Sequence, residues 1–167
     1  AVTGSIAAYK AAFIIRLLKK QGAFVKVIMT KASSDFVTPL TLGTLSKEPV
    51  LIDFLKDEET GEWNNHVDMG LWADVMLVAP ATANSISKMV MGGADNFLIA
   101  TYLSAKCPVF VAPAMDLDMY AHGSTKDNLD TLVSRGNHVI YPESGELASG
   151  LVGEGRLAEP EQIVDFL

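Results

Sequence analysis

Five short segments collect residues that can hold a ligand without contributing a net charge. They are Gly4-Ser5, Thr30-Lys31-Ala32-Ser33-Ser34, Pro80-Ala81-Thr82-Ala83-Asn84-Ser85, Pro113-Ala114-Met115-Asp116 and Pro142-Glu143-Ser144-Gly145. Small residues let a ligand approach the backbone, while Ser, Thr and Asn supply neutral donors. Where such a residue opens a helix, the free N–H groups and the helix dipole favour an anionic phosphate. One segment alone reads as a helix cap. Five on one edge read as a site, because caps do not require small residues on both sides. The first turn, Thr3-Gly4-Ser5-Ile6-Ala7-Ala8, lacks the three glycines of GxGxxG. A dinucleotide is therefore disfavoured, and a mononucleotide-type ligand fits better.

These segments converge only if each follows a strand of one parallel sheet. Residues 75–79 (VMLVA) and 109–112 (VFVA) are continuous apolar runs, as expected of central strands covered on both faces. Residues 1–3 read as the tail of a strand, 24–30 as a buried strand, 50–55 as a short ambiguous one and 138–141 as another. Between them lie helical stretches. Ala8, Ala11, Ile15 and Leu18 share one face ahead of Lys19, Lys20 and Gly22. Thr38-Pro39 is an N-cap followed by Pro at the first helical position. Helices are also expected over 85–90, 96–105, within 118–135 and from about Pro160. The alternation predicts an α/β fold, a Rossmann-like doubly wound parallel sheet of roughly five or six strands, forming one domain over residues 1–167.

Composition removes several function classes. The chain has 167 residues, with 13 Lys+Arg against 20 Asp+Glu, a net charge of −7 and a pI near 4.8. That balance excludes a nucleic-acid binder, which needs a basic footprint. A single cysteine, Cys107, leaves no CxxC metal or redox motif, and no metal site is expected. No apolar run approaches a membrane span, and Gly4, Ser5 and Lys10 break any signal-peptide pattern. The expectation is a cytoplasmic protein without a membrane partner. Hydrophobic residues make up 49% and mean hydropathy is +0.25, more than a monomer of this size needs. The excess suits a subunit interface.

Several separated motifs match one family in order. They are Gly4-Ser5-Ile6-Ala7-Ala8-Tyr9-Lys10, Asn65-His66-Val67-Asp68, Ala79-Pro80-Ala81-Thr82-Ala83-Asn84-Ser85, Pro113-Ala114-Met115-Asp116-Leu117-Asp118-Met119-Tyr120, and Leu147-Ala148-Ser149-Gly150 through Gly153-Glu154-Gly155-Arg156. Over essentially its whole length the chain resembles the flavin-containing cysteine decarboxylases, most closely their phosphopantothenoylcysteine decarboxylase branch of bacterial coenzyme A biosynthesis. The resemblance implies FMN as cofactor and 4′-phospho-N-pantothenoylcysteine as substrate, converted to 4′-phosphopantetheine. It also implies a homotrimer or homododecamer with flavin at subunit contacts, and a phosphopantothenoylcysteine synthetase, fused beyond residue 167 or as a partner. In that chemistry the flavin takes a hydride equivalent from the cysteine unit, the thioaldehyde loses CO2 because sulfur accepts the electrons, and the enethiolate is then protonated and reduced.

Carried over by position, Gly4, Ser5, Ile6, Thr30, Ser33, Thr82, Ala83, Asn84, Ser85 and Ala114 would line FMN. His66 would do acid–base work, together with Ser149. Asp116, Met119, Ala148 and Arg156 would bind substrate, the last from a glycine-bearing flap over residues 145–158. The sequence departs from the family at three of its motif positions. Asp116 stands where many members have Asn against the substrate carboxylate. An ionised Asp there costs about 4 kcal/mol at ~4 Å and an effective dielectric of 20, unless it is protonated or a cation such as Arg156 or Lys88 compensates. Ser149 stands where many have Cys, and a hydroxyl is the weaker acid; Tyr120 replaces the usual Trp. Cys107, before Pro108 at the opposite edge, reads as a structural thiol. The alternative functions are a peptidyl-cysteine decarboxylase, a flavin prenyltransferase, and a flavin-binding regulatory subunit without catalysis.

Overall fold

The apolar runs sort their side chains by alternation. A computed structural model describes residues 1–57 and 59–167. Strand β1 (Met76–Ala81) pairs parallel with β2 (Val109–Pro113), and β2 with β3 (His138–Val139). Met76 and Val78 of β1, with Val109 and Val111 of β2, enter one core cluster, while Ala79, Phe110 and Ala112 enter another on the opposite face. Period-two alternation with both faces apolar is what a central parallel strand requires.

Backbone hydrogen bonds carry the sheet beyond β1. Ala79 N–H donates to Ala1 O at 2.9 Å, Val2 N–H to Ile28 O at 2.8 Å, and Met29 N–H to Leu51 O at 2.8 Å. Parallel bridges join Val2 to Met29 and Ile28 to Leu51. Taken in space, the segments run from Leu51 through residues 28–29 and residue 2 to β1, β2 and β3. In chain order that is 3-2-1-4-5-6, a doubly wound order that agrees with the expected architecture. The strand order reverses between the first segment and β1, so a crevice opens at that switch point.

Helices cover both faces. Helix α1 (Lys10–Lys20) follows a 3-10 turn at Ile6–Tyr9, and it packs against α2 (Pro39–Ser46) and α8 (Pro160–Phe166). Thr38 caps α2, its hydroxyl accepting from Thr41 N–H at 3.1 Å. The other layer holds α3 (His66–Trp72), α4 (Ala83–Met91), α5 (Phe97–Ser104) and α7 (Gly123–Ser134). An antiparallel hairpin of β4 (Glu143–Glu146) and β5 (Val152–Arg156) stands apart from the main sheet.

Three expectations need correction. The strand expected over 24–30 has its buried part at Val27, Ile28 and Met29 only, and Phe24 is 84% exposed. The strand expected over 138–141 pairs with β2 only as far as Ile140, whose N–H donates to Val111 O at 2.9 Å, and Tyr141 is exposed beyond it. The helix expected within 118–135 is two, α6 (Leu117–Ala121) and α7. His122 divides them with extended backbone, φ −61° and ψ 137°, and its Nδ1 accepts from Ser124 N–H at 3.2 Å to cap the second helix.

Helix α3, which carries His66, crosses α5 at Gly70. A Cβ placed on Gly70 would lie 2.7 Å from both the carbonyl carbon and oxygen of Ser104. Those are backbone atoms that cannot rotate away. Gly70→Ala is therefore expected to lower stability by about 1–3 kcal/mol, the usual scale of overpacking, measured as a lower denaturant midpoint. An unchanged midpoint would contradict this crossing.

Candidate functional site

The loops that leave the strands assemble the site. A cavity of about 550 Å3 opens at the carboxyl ends of the sheet, at the switch point. Gly4 and Ser5 line it after the first segment, Thr30, Lys31 and Ala32 after the second, and Ile52, Asp53 and Phe54 after the third. Thr82 to Ser85 follow β1, and Ala114, Met115 and Met119 follow β2. Gly4 is required by close approach, because a Cβ there would sit 2.7 Å from Ala32 Cβ.

The hydroxyl residues are fixed by one another. Thr3 is fully buried; its hydroxyl donates to Pro80 O at 2.7 Å and accepts from Thr82 N–H at 3.0 Å. This holds the corner after β1. The Thr82 hydroxyl in turn accepts from Ser85 N–H at 3.4 Å and caps α4. Asn96, also at the cavity, caps α5 by accepting from Ile99 N–H at 3.0 Å. The cavity thus meets the amino ends of two helices. Thr30 Oγ1 is buried and has no hydrogen-bond partner among the described residues.

The cations at this edge are already partnered. Lys31 Nζ lies 3.0 Å from Asp53 Oδ1, and Lys88 pairs with Asp95. The Lys88 ammonium holds the Asp95 carboxyl below its usual range. An anion entering here would be held by hydroxyls, backbone N–H groups and helix ends, with little uncompensated positive charge.

Several expected residues stand elsewhere. Ile6 is 59% exposed and is not among the lining residues. Ser33 is fully buried beneath the wall, where its hydroxyl donates to Thr30 O at 2.7 Å and holds the turn. His66 is one ring removed from the cavity. It opens α3 after Asn65, whose side chain accepts from Val67 N–H at 3.0 Å, and its imidazole meets Phe54 edge-on at 5.9 Å and Trp63 at 6.3 Å. Its Nδ1 is buried without a partner among the described residues. Phe54 lines the cavity and so links it to the imidazole.

The hairpin lies outside the cavity lining. Gly155, at φ +138°, presses on Met115, whose N–H donates to Gly155 O at 3.0 Å; a Cβ on Gly155 would collide with Met115 O. Ala148 and Ser149 sit in the exposed turn at the far end. Arg156 donates to Glu159 Oε1 at 2.6 Å. Neither Arg156 nor Lys88, then, stands uncommitted beside Asp116. Asp116 precedes α6 without capping it and has no ion pair among the described residues, while its neighbours Met115 and Met119 line the cavity.

Asp53, Phe54, Asp95, Asn96 and Phe97 line the cavity without having been expected there from the sequence. Only Asn96 carried a local signal, a polar cap directly before an apolar helix. Cys107 is half-buried, away from the cavity lining, and burial pushes its thiol up. A larger apolar trough of about 790 Å3 lies at the amino ends of the strands, beside Leu18, Phe24, Val25 and Trp72, where none of the five polar segments reaches.

Comparison with known proteins gives a consistent outcome. The chain is 47% identical over 163 residues to the coenzyme A biosynthesis bifunctional protein CoaBC of Bacillus subtilis (strain 168), covering 98% of this chain and 40% of that protein. It is 65% identical over 128 residues to a cysteine/cysteine sulfinic acid decarboxylase of an unknown prokaryotic organism, covering 77% of this chain and 35% of that one. It thus spans well under half the length of these curated relatives. A cysteine-to-serine variant of PPC decarboxylase, solved with pantothenoylaminoethenethiol, superimposes with a TM-score of 0.86 at 32% identity over 99% of this chain and 92% of that one. The FMN binding protein AtHal3 gives 0.81, also at 32%, over 99% and 90%. The model of the flavoprotein family matches residues 1–167, and the chain belongs to that family.

Proposed function

We propose that this domain binds FMN in the 550 Å3 cavity and uses it to decarboxylate 4′-phospho-N-pantothenoylcysteine to 4′-phosphopantetheine. The observation that carries the reading is the cavity's donor set: neutral hydroxyls and two capped helix ends at the switch point, lined by Gly4, Ser5, Thr30, Thr82, Ala83, Asn84, Ser85 and Ala114. The orphaned Thr30 hydroxyl in its wall suits a ligand able to satisfy it. The likeness to AtHal3 and to PPC decarboxylase supports both cofactor and reaction.

When bound, FMN supplies the redox chemistry that makes the cysteine carboxylate labile. The chain's own residues do the rest. Gly4 and Ala32 keep the wall thin enough for backbone to touch the cofactor. Phe54, braced edge-on against Phe97 at 5.7 Å, forms the wall between cavity and imidazole. His66 does the acid–base work through its imidazole. Met119 contacts substrate, and the hairpin, with Ala148, Ser149 and Arg156, closes over it. Exposed Leu55, Trp63, Val67 and Leu71 surround the His66 segment and favour completion of the site by further copies of the chain, as a trimer or larger shell. A phosphopantothenoylcysteine synthetase, fused or separate, would be its partner, and the aligned relatives carry the name of a bifunctional protein.

One observation favours a second substrate reading. Asp116 has no counter-cation among the described residues, and an unpaired carboxylate there suits the free ammonium of cysteine or cysteine sulfinic acid, the substrates named for the 65% identical relative. The two readings separate in one assay. CO2 release is measured with FMN from phosphopantothenoylcysteine, free cysteine, cysteine sulfinate and a peptide ending in cysteine. Multiple turnovers with the first are expected. Turnover of the free amino acids alone would transfer the assignment to the second reading, and none with any compound would leave a flavin-binding subunit. His66→Asn is expected to retain FMN while turnover falls roughly 100- to 10,000-fold, the range for a lost acid–base group; undiminished turnover would remove His66 from the chemistry.

A further inference from the structure

Lys10 ends the glycine-serine motif that opens the chain, yet its ammonium is spent elsewhere. The residue is only 5% exposed. Its Nζ donates to Leu157 O at 3.0 Å and lies 3.0 Å from Glu159 Oε1. The same Glu159 oxygen accepts from Arg156, the last residue of β5. Glu159 also opens α8, its N–H donating to Gln162 Oε1 at 3.1 Å. The Lys10 ammonium holds the Glu159 carboxyl below its usual range, with Arg156 acting in the same direction.

A lysine this deeply buried is costly unless its charge is matched and its donors satisfied. An apolar side chain could fill the same space, so the ammonium calls for a role that packing does not supply. Geometry provides one. Lys10 lies five residues after Ser5 and begins α1, so it is tied by a 3-10 turn to the first loop of the cavity. At its other end it grips the chain just where the hairpin leaves the body of the protein. The hairpin's second support is Gly155 on Met115, and Met115 also lines the cavity. A third contact, Gly153 against Leu117 of α6, lies further along β5. The turn at residues 147–151 extends beyond all three, with Ala148 and Ser149 exposed.

We propose that Lys10 is a positioning residue: paired with Glu159, it pins the base of the 143–156 hairpin to the helix growing from the Gly4–Ser5 loop, so that hairpin and cofactor wall are set in register. The inference rests on the flavin reading for its kinetic consequence but not for its structural one. Lys10→Met, Lys10→Arg and Glu159→Gln are compared with wild type, and Lys56→Met, which breaks the exposed Lys56–Glu62 pair, serves as reference. Hydrogen exchange is followed over residues 143–158 and over β1 and β2, with steady-state kinetics on phosphopantothenoylcysteine in parallel. Lys10→Met is expected to speed hairpin exchange on the order of tenfold or more, with β1 and β2 protected as before. It should raise KM more than it lowers kcat. Lys10→Arg should restore part of both, and Glu159→Gln should move them less far in the same direction. Should Lys10→Met not fold, Glu159→Gln, altered at a more exposed residue, decides alone. Hairpin exchange in these variants equal to that of Lys56→Met, or exchange rising equally in β1 and β2, would overturn the proposal. If wild type turns over no substrate, the function fails while the exchange comparison still decides the role of Lys10.

Discussion

Parallel pairing is the constraint on which the rest of the molecule depends. It places the carboxyl end of every strand at one edge, so five loops that are distant in sequence become walls of one cavity. That pairing holds only if β1 and β2 are apolar on both faces, and Val78, Ala79, Val111 and Ala112 are all buried. Small residues then result from crowding. The loops after adjacent strands approach until Gly4 and Ala32 leave no room for a further carbon.

The same edge resolves an apparent conflict between an acidic chain and an anionic cofactor. Net charge of −7 says nothing about the local field when each lysine at the cavity is neutralised by its own carboxylate. Helix ends and hydroxyls bind phosphate through oriented dipoles fixed before the ligand arrives. That preorganisation is visible in Thr3, which has no surface of its own and whose hydroxyl locks the corner after β1.

Much of this was legible in the sequence because it is written in local chemistry. Apolar runs marked β1 and β2, Thr38-Pro39 marked a helix start, and four of the five polar segments marked the cavity; the fifth, Pro142-Glu143-Ser144-Gly145, runs into β4 and does not line it. What escaped depends on tertiary direction. Ser33 belongs to a segment that lines the cavity, but its hydroxyl turns inward to Thr30 O. Phe54 and Asp53 lie in a stretch with no clear period, and only their neighbours give them a place in the wall. The glycine-bearing stretch expected as a flap forms the hairpin, but its seat on Met115 spans forty positions and its tie through Arg156 and Glu159 to Lys10 spans nearly 150. Spacing cannot express such contacts. The resemblance to cysteine decarboxylases singled out His66, and the structure puts Phe54 between it and the cavity.

The central claim is that this edge is a flavin site built from neutral donors. A crystal structure determined with added FMN tests it most directly. Flavin density is expected in the cavity bounded by Gly4, Ser5, Thr30 and Thr82, with the Thr30 hydroxyl acquiring a partner. Density in the apolar trough beside Phe24 and Trp72, or an empty cavity at saturating FMN, would contradict it.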